Sequence, residues 1–105
     1  MKFIIVLMTA STKDEANKLI RVLLEEKQIV CANIIENISS FFWWKGKIEE
    51  EKEVLVIMKS ARNHFEKLSK RIMELHSYDI PEILSIPIED GLSSYLDWMK
   101  SLLNQ

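Results

Sequence analysis

Glycine and proline are scarce in this chain, at two residues each among 105. So few flexible or chain-breaking residues argue against disordered segments and long linkers. Apolar residues make up 48% of the chain and charged residues 29%, which is the balance of an ordinary globular protein. The length then predicts a single domain over residues 1–105.

Cysteine occurs once, as Cys31. A single thiol cannot form an internal disulfide, so the sequence favours a reducing compartment, and we expect a cytoplasmic protein. The apolar run from Phe3 to Met8 is too short for the core of a signal peptide or for a membrane span. We therefore expect no membrane partner.

Blocks of basic residues are missing, and the net charge is −2. This argues against a nucleic-acid partner, which requires clustered Lys and Arg. No glycine-rich phosphate loop and no Cys-x-x-Cys or His-x-x-x-His spacing occurs. A nucleophile with an orienting group cannot be assembled from the motifs, so we predict no catalytic residues and no enzyme.

The first half of the chain alternates extended and helical patterns. Phe3 to Met8 predicts a central strand, and a helix over about 13–27 begins at Thr12 with Glu15 completing a capping box. Ile29 to Trp44 reads as a long strand with a turn at Gly46. Side chains of alternate residues point to the same face of a strand, and the even-numbered positions predict its drier face: Val30, Ala32, Ile34, Ile38, Phe42 and Trp44.

The second half repeats this alternation. Lys47 to Ser60 predicts the return strand and residues 62–76 a second helix. Ile83 to Ile88 predicts a last strand, which Pro87 confines to a sheet edge. An amphipathic helix follows from Leu92 to Leu103, and we expect Ser93 or Ser94 to cap it.

The resulting order is βαββαβ plus a terminal helix. It predicts an α+β, ferredoxin-like sandwich with an extra C-terminal helix and a long hairpin between the second and third strands. The two strands that lead into helices belong in the middle of the sheet, which leaves the long strand at an edge.

The hairpin is too long for the body that carries it. Arms of about 13 residues reach about 43 Å, against a body about 33 Å across. The tip therefore overhangs with four consecutive aromatic residues, Phe41, Phe42, Trp43 and Trp44. We expect further copies of the chain to cover them in a closed ring. The alternative is a bulge near Ser39 that folds the hairpin back over its own core.

Three segments carry a family resemblance: "CANIIENISSFFWWKGKIEEEKEVLVIMKS", "HSYDIPEI" and "YLDW". In this order and spacing the chain resembles the CutA-type divalent-cation tolerance proteins over nearly its whole length. The resemblance implies a ferredoxin-like homotrimer with a role in tolerance of copper and other divalent cations. Similar trimers, the PII signalling proteins, bind small ligands between subunits.

Metal ligands are suggested by that resemblance together with residue chemistry. Some bacterial members have Cys in the first strand and a His-His pair after the second helix; here Met8 and Leu75-His76 take those places. The predicted metal set is His76, Met8, Cys31 and Glu82. The simpler interpretations are a small buried Cys31 and a His76 satisfied at a helix end.

A second set, Lys59, Tyr78 and Trp98, with Glu82 nearby, is expected at an inter-subunit cleft. These side chains suit either a ligand site or interface anchors. We therefore predict a trimeric cytoplasmic tolerance protein that binds copper or other divalent cations weakly and requires no cofactor. The alternative is a PII-like signalling or scaffolding module with a small ligand or partner protein in its clefts.

Overall fold

The computed structural model of the protein describes residues 1–104. Its elements follow the predicted order: β1 Phe3–Ala10, α1 Lys13–Glu25, β2 Cys31–Trp44, β3 Lys47–Ala61, a 3₁₀ turn Arg62–His64, α2 Phe65–Leu75, β4 Ile83–Pro87 and α3 Ser93–Leu103. No helix within this range is both long and apolar enough to cross a membrane.

The four strands form one antiparallel sheet in the order β2-β3-β1-β4. The strands that lead into helices, β1 and β3, lie in the centre, and β2 and β4 lie at the edges. Pro87 ends the edge strand β4, where a missing backbone N–H costs no central ladder bond. The predicted ferredoxin-like fold is confirmed.

The main core lies between one sheet face and helices α1 and α2. Alternate residues of β1 and β3 face these helices, as expected from the two-residue period of a strand. The fully buried large side chains of this core include Val6, Met8, Val56, Met58, Leu23, Leu68 and Ile72. A smaller cluster beneath α3 joins Met99 and Leu103 to Val30 and Ala61.

Helix starts differ in how well the sequence predicted them. Thr12 Oγ1 accepts a hydrogen bond from the Glu15 N–H at 3.1 Å, as predicted, but the Glu15 carboxylate bonds Ser11 rather than Thr12. The predicted serine cap of α3 is wrong. Leu92 is the N-cap residue and has no side-chain bond, because its carbonyl accepts from Tyr95 and Leu96 and closes the first turn through the backbone.

A β-bulge lies in β2 between Ile35 and Ile38, with Asn37 at φ 58°. One extra residue in β2 reverses which side chains face which side of the sheet. Before the bulge, Ala32 and Ile34 lie on the helix-covered face. Beyond the bulge, the side chains of even-numbered residues lie on the opposite face of the sheet. The prediction that one face of this strand is dry along its whole length is therefore wrong. Ile38, Phe42 and Trp44 belong to the uncovered side.

The bulge does not fold the hairpin over its own core. The molecule measures 44 × 25 × 22 Å along its principal axes. The tip remains open: Phe41 is 66% exposed and Trp43 72% exposed. Lys45 and Gly46 close the hairpin with positive φ at both turn residues, the geometry that matches strand twist. The overhanging aromatic tip is thus confirmed, and the folded-back alternative is not.

Candidate functional site

His76 anchors the loop between α2 and β4 at one end of the sheet. Its side chain is buried, and Nε2–H donates to the Thr9 carbonyl at 2.8 Å. Nδ1 accepts from the Tyr78 N–H at 3.0 Å. Both ring nitrogens are therefore engaged within the protomer, which matches the satisfied helix-end histidine considered from the sequence.

Glu15 ties this loop to the start of α1. Its Oε2 accepts from the Ser77 N–H at 2.8 Å and lies 3.8 Å from His76 Nδ1. Burial alone would raise the pKa of Glu15, but hydrogen bonds from Ser77 and Ser11, with His76 nearby, lower it below its ordinary value. The carboxylate is held in its charged form.

Tyr78 completes what we call the Tyr78 cluster: Glu15, Glu53, His76 and Tyr78. The Tyr78 hydroxyl donates a hydrogen bond to Glu53 Oε2 at 2.6 Å. The ring of Tyr78 packs against the ring of His76, with 4.6 Å between the ring centroids. Burial, and then the Glu53 carboxylate, raise the pKa of Tyr78 well above its usual range. Glu53 is 8% exposed, so this hydroxyl supplies a donor to a buried charge.

A second group, the Cys31 cluster, lies at the opposite end of the sheet: Cys31, Asn33, Lys59, Tyr95 and Trp98. Lys59 Nζ donates to Asn33 Oδ1 and lies 3.8 Å from Cys31 Sγ. Burial and a hydrogen bond with Cys31 raise the pKa of Tyr95. The Tyr95 ring packs against Trp98 at 5.3 Å. Cys31 is half-buried and carries a free thiol.

The predicted metal ligands do not form one site within the protomer. Met8 is fully buried in the core, and Glu82 is exposed at the start of β4. Cys31 lies at the level of Ile5 across the sheet, four strand residues or about 13 Å from Thr9, which His76 contacts. Residues 1–104 contain no group of three or more His, Cys, Asp or Glu side chains suited to hold a metal ion.

The predicted cleft residues are also divided. Lys59 and Trp98 belong to the Cys31 cluster, whereas Tyr78 contacts Glu53, six residues or about 20 Å away along β3. Glu82 lies at the Tyr78 end of the sheet, next to Ile83, which pairs with Met8. Within the protomer these residues therefore belong to two separate places.

Between the two clusters runs an apolar surface, here called the open face, on the side of the sheet away from α1 and α2. Its members are half-buried or exposed large aliphatic side chains that no helix covers: Ile5, Leu7, Ile35, Leu55, Ile57, Leu84 and Ile86. The bulge places Ile38, Phe42 and Trp44 of β2 on the same side, where their β3 partners are Glu53, Glu49 and Lys47. Contiguous exposed apolar surfaces are typical of interaction sites.

Sequence reasoning missed four contributors to the clusters. Glu15 was assigned only to a helix cap, and Asn33 and Tyr95, which stand in the segments that carry the family resemblance, were assigned to no site. Glu53 follows three glutamates of a polar strand end. Glu53 lies two residues before Leu55 and four before Ile57, so its side chain points to the same face of the sheet. This two-residue period could have predicted its position on the open face.

A family model described as "CutA1 divalent ion tolerance protein" matches residues 4–102. The divalent-cation tolerance protein CutA of Pyrococcus horikoshii is 45% identical over 96 residues, which are 91% of this chain and 93% of that protein. The solved structure of the periplasmic divalent cation tolerance protein CutA from Archaeoglobus fulgidus matches with a TM-score of 0.93 at 39% identity, over 96% of this chain and 98% of that one. The divalent cation tolerance protein of Thermus thermophilus gives a TM-score of 0.93 at 34% identity, over 95% and 97% of the two chains.

Proposed function

Because this chain belongs to the CutA1 divalent ion tolerance family, we propose that it acts in tolerance of divalent cations as a homotrimer that binds copper or related ions weakly. The observation that carries this proposal is the family match over residues 4–102. No catalytic role is assigned. The family match does not favour the PII-like alternative.

The surface of the protomer supports assembly. The open face covers the sheet centre, and the apolar residues Ile38, Phe42 and Trp44 extend along β2 on the same side to the end of the hairpin, next to charged residues of β3. In an isolated protomer this surface, on an edge strand, would promote aggregation. Closed rotational symmetry covers it without producing fibres. The number of three copies comes from the family resemblance.

The candidate ligands support weak rather than tight metal binding. Both His76 nitrogens already hold internal hydrogen bonds, and the Lys59 ammonium lies beside the Cys31 sulfur. A metal ion must displace one of these internal contacts before it gains a ligand. The Met8 thioether, at 0% exposed, is not accessible to a cation from solvent.

Calorimetric titration of the assembled protein with Cu²⁺ and, separately, Zn²⁺ tests this proposal. We expect a dissociation constant weaker than about 1 µM. The double variant His76→Ala with Cys31→Ser should bind more weakly than the parent, and His64→Gln, which removes the other histidine, should bind as the parent does. Parent-like binding by the double variant would reject these ligands, and a silent titration of the parent would reject metal binding altogether.

We also propose a cytoplasmic location, supported by the free thiol of Cys31 and its compatibility with a reducing compartment. Cell fractionation with an antibody against the chain tests this. Recovery of the protein with membrane or extracytoplasmic markers would reject it.

A further inference from the structure

A concave surface lies at the end of the sheet where β1 begins and β3 ends. It is lined by Met1, Lys2, Arg62, Asn63, Lys100 and Asn104 and has a volume of about 670 Å³. We call it the basic pocket. Among the described residues that line it are three cationic side chains and two side-chain amides, and none of these residues has a side-chain carboxylate.

The fold holds these three cations together. The Arg62 N–H donates to the Lys2 carbonyl at 2.9 Å, which joins the end of β3 to the start of β1. His64 Nε2 contacts the Leu103 carbonyl at 2.9 Å and fixes the last turn of α3, which carries Lys100 and Asn104. These hydrogen bonds keep the chain segments that carry the three cationic residues next to one another.

No ion pair within residues 1–104 neutralises these cations. Arg71 pairs with Glu26 and Glu74, and Lys13 pairs with Glu36, but Lys2, Arg62 and Lys100 have no acidic partner in that range. The carbonyl end of α3 favours a cation at Lys100. It does not account for Lys2, which directly precedes β1, or for Arg62, which directly follows β3. Like charges held close repel one another, and a bound anion would relieve that repulsion.

The chemistry of the lining identifies the ligand class. A guanidinium presents a planar fork of donors that matches phosphate oxygens, and lysines and side-chain amides add single donors. The volume lies within the range of small-molecule sites, and a net charge of −2 disfavours long polyanions. We propose that the basic pocket binds a small phosphate-bearing anion.

The test is a titration of the ¹⁵N-labelled full-length protein with pyrophosphate at constant ionic strength, followed by amide chemical shifts. We expect saturable shifts centred on residues 2, 62, 63, 100 and 104. Arg62→Gln should weaken binding about tenfold or more, since it removes charge-assisted hydrogen bonds. Lys2→Gln gives an independent variant if Arg62→Gln unfolds at a lower temperature than the parent.

The matched control is the double variant Lys67→Gln with Lys70→Gln, which removes two exposed cations from α2 outside the pocket. It should bind pyrophosphate as the parent does. The proposal would be overturned if the control variant bound pyrophosphate as weakly as Arg62→Gln does, or if acetate caused equal amide shifts. It would also be overturned if the shifts did not saturate by 10 mM pyrophosphate, about the weakest affinity expected of a dedicated site. None of these outcomes depends on metal binding.

Discussion

Three residues of the Tyr78 cluster show how a short loop is fixed by contacts with residues distant in sequence. Tyr78 reaches Glu53 on β3, and Glu15 of α1 reaches the backbone of Ser77. His76 adds a bond to the last part of β1. The loop is therefore held by three separate elements, and each bond can be removed by one conservative substitution.

Tyr78→Phe removes the hydroxyl that donates a hydrogen bond to Glu53. The buried Glu53 carboxylate then lacks this hydrogen-bond donor. We expect a loss of about 1.5–3 kcal/mol in the free energy of unfolding, measured by urea denaturation at pH 7. Because the pKa of Tyr78 is raised in the fold, its contribution is complete below the ordinary tyrosine pKa of about 10 and is lost only at more alkaline pH. The deficit should thus be constant from about pH 6 to 9.

The control for this variant is Tyr95→Phe, which deletes a hydroxyl from a side chain that is 41% exposed. Its effect should be clearly smaller. Equal losses from the two variants would mean that the Glu53 contact carries no particular stability.

Glu15→Gln should reduce the dependence of stability on acid pH. The pKa of Glu15 is lowered in the fold from its ordinary value of 4.5, so its contribution is present above that value and is lost as the pH falls through the folded pKa. We expect a deficit of about 1 kcal/mol at pH 7 that disappears toward pH 3. Thermal unfolding across this range measures it, with the exposed Glu25→Gln as control. A deficit that persists at pH 3 would contradict the prediction.

At the scale of elements, α3 is attached differently from α1 and α2. It buries Met99 and Leu103 against the far end of the open face, and its last turn is held by His64 from the start of α2. No motif in the sequence indicates a role for His64. The contact depends on a carbonyl 39 residues away, which no local pattern indicates.

His64→Ala should loosen the last turn of α3 without unfolding the protein. Loss of one hydrogen bond worth about 1 kcal/mol predicts about fivefold faster amide exchange there. Hydrogen–deuterium exchange read by mass spectrometry measures this, and Asn63→Ala is the neighbouring control. Unchanged exchange in α3 with His64→Ala would show that Met99 and Leu103 suffice to hold the helix.

At the scale of the whole molecule, the hairpin determines the shape. Its arms give the molecule its 44 Å axis, and the bulge places Phe42 and Trp44 on the open face while Phe41 and Trp43 lie on the other side. The tip therefore presents rings on both sides of the ribbon. Such a tip suits insertion between neighbouring copies rather than a single flat contact.

Sedimentation velocity should show the parent as a species of about 37 kDa, three times the 12.3 kDa of the chain. Trp43→Ser removes a ring that is 72% exposed in the protomer and should weaken assembly by about 2–4 kcal/mol. Smaller species should then appear on dilution to micromolar concentration.

Met73→Ser is the control for this experiment, since Met73 is 51% exposed on α2, away from the open face. It should sediment as the parent does. A parent that sediments as a 12.3 kDa species at micromolar concentration would contradict the proposed assembly.

The sequence by itself determined the order of elements, the central position of β1 and β3 and the overhang of the tip. Each of these follows from the local periodicity of apolar residues or from the number of residues in a segment. Only the tertiary structure decided the rest. The extra residue at Asn37 reverses every later side chain of β2, and a sequence pattern of one parity cannot show where that reversal occurs. Residues assigned to one site lie at opposite ends of the sheet, because the distance between them is set by strand register and not by residue chemistry.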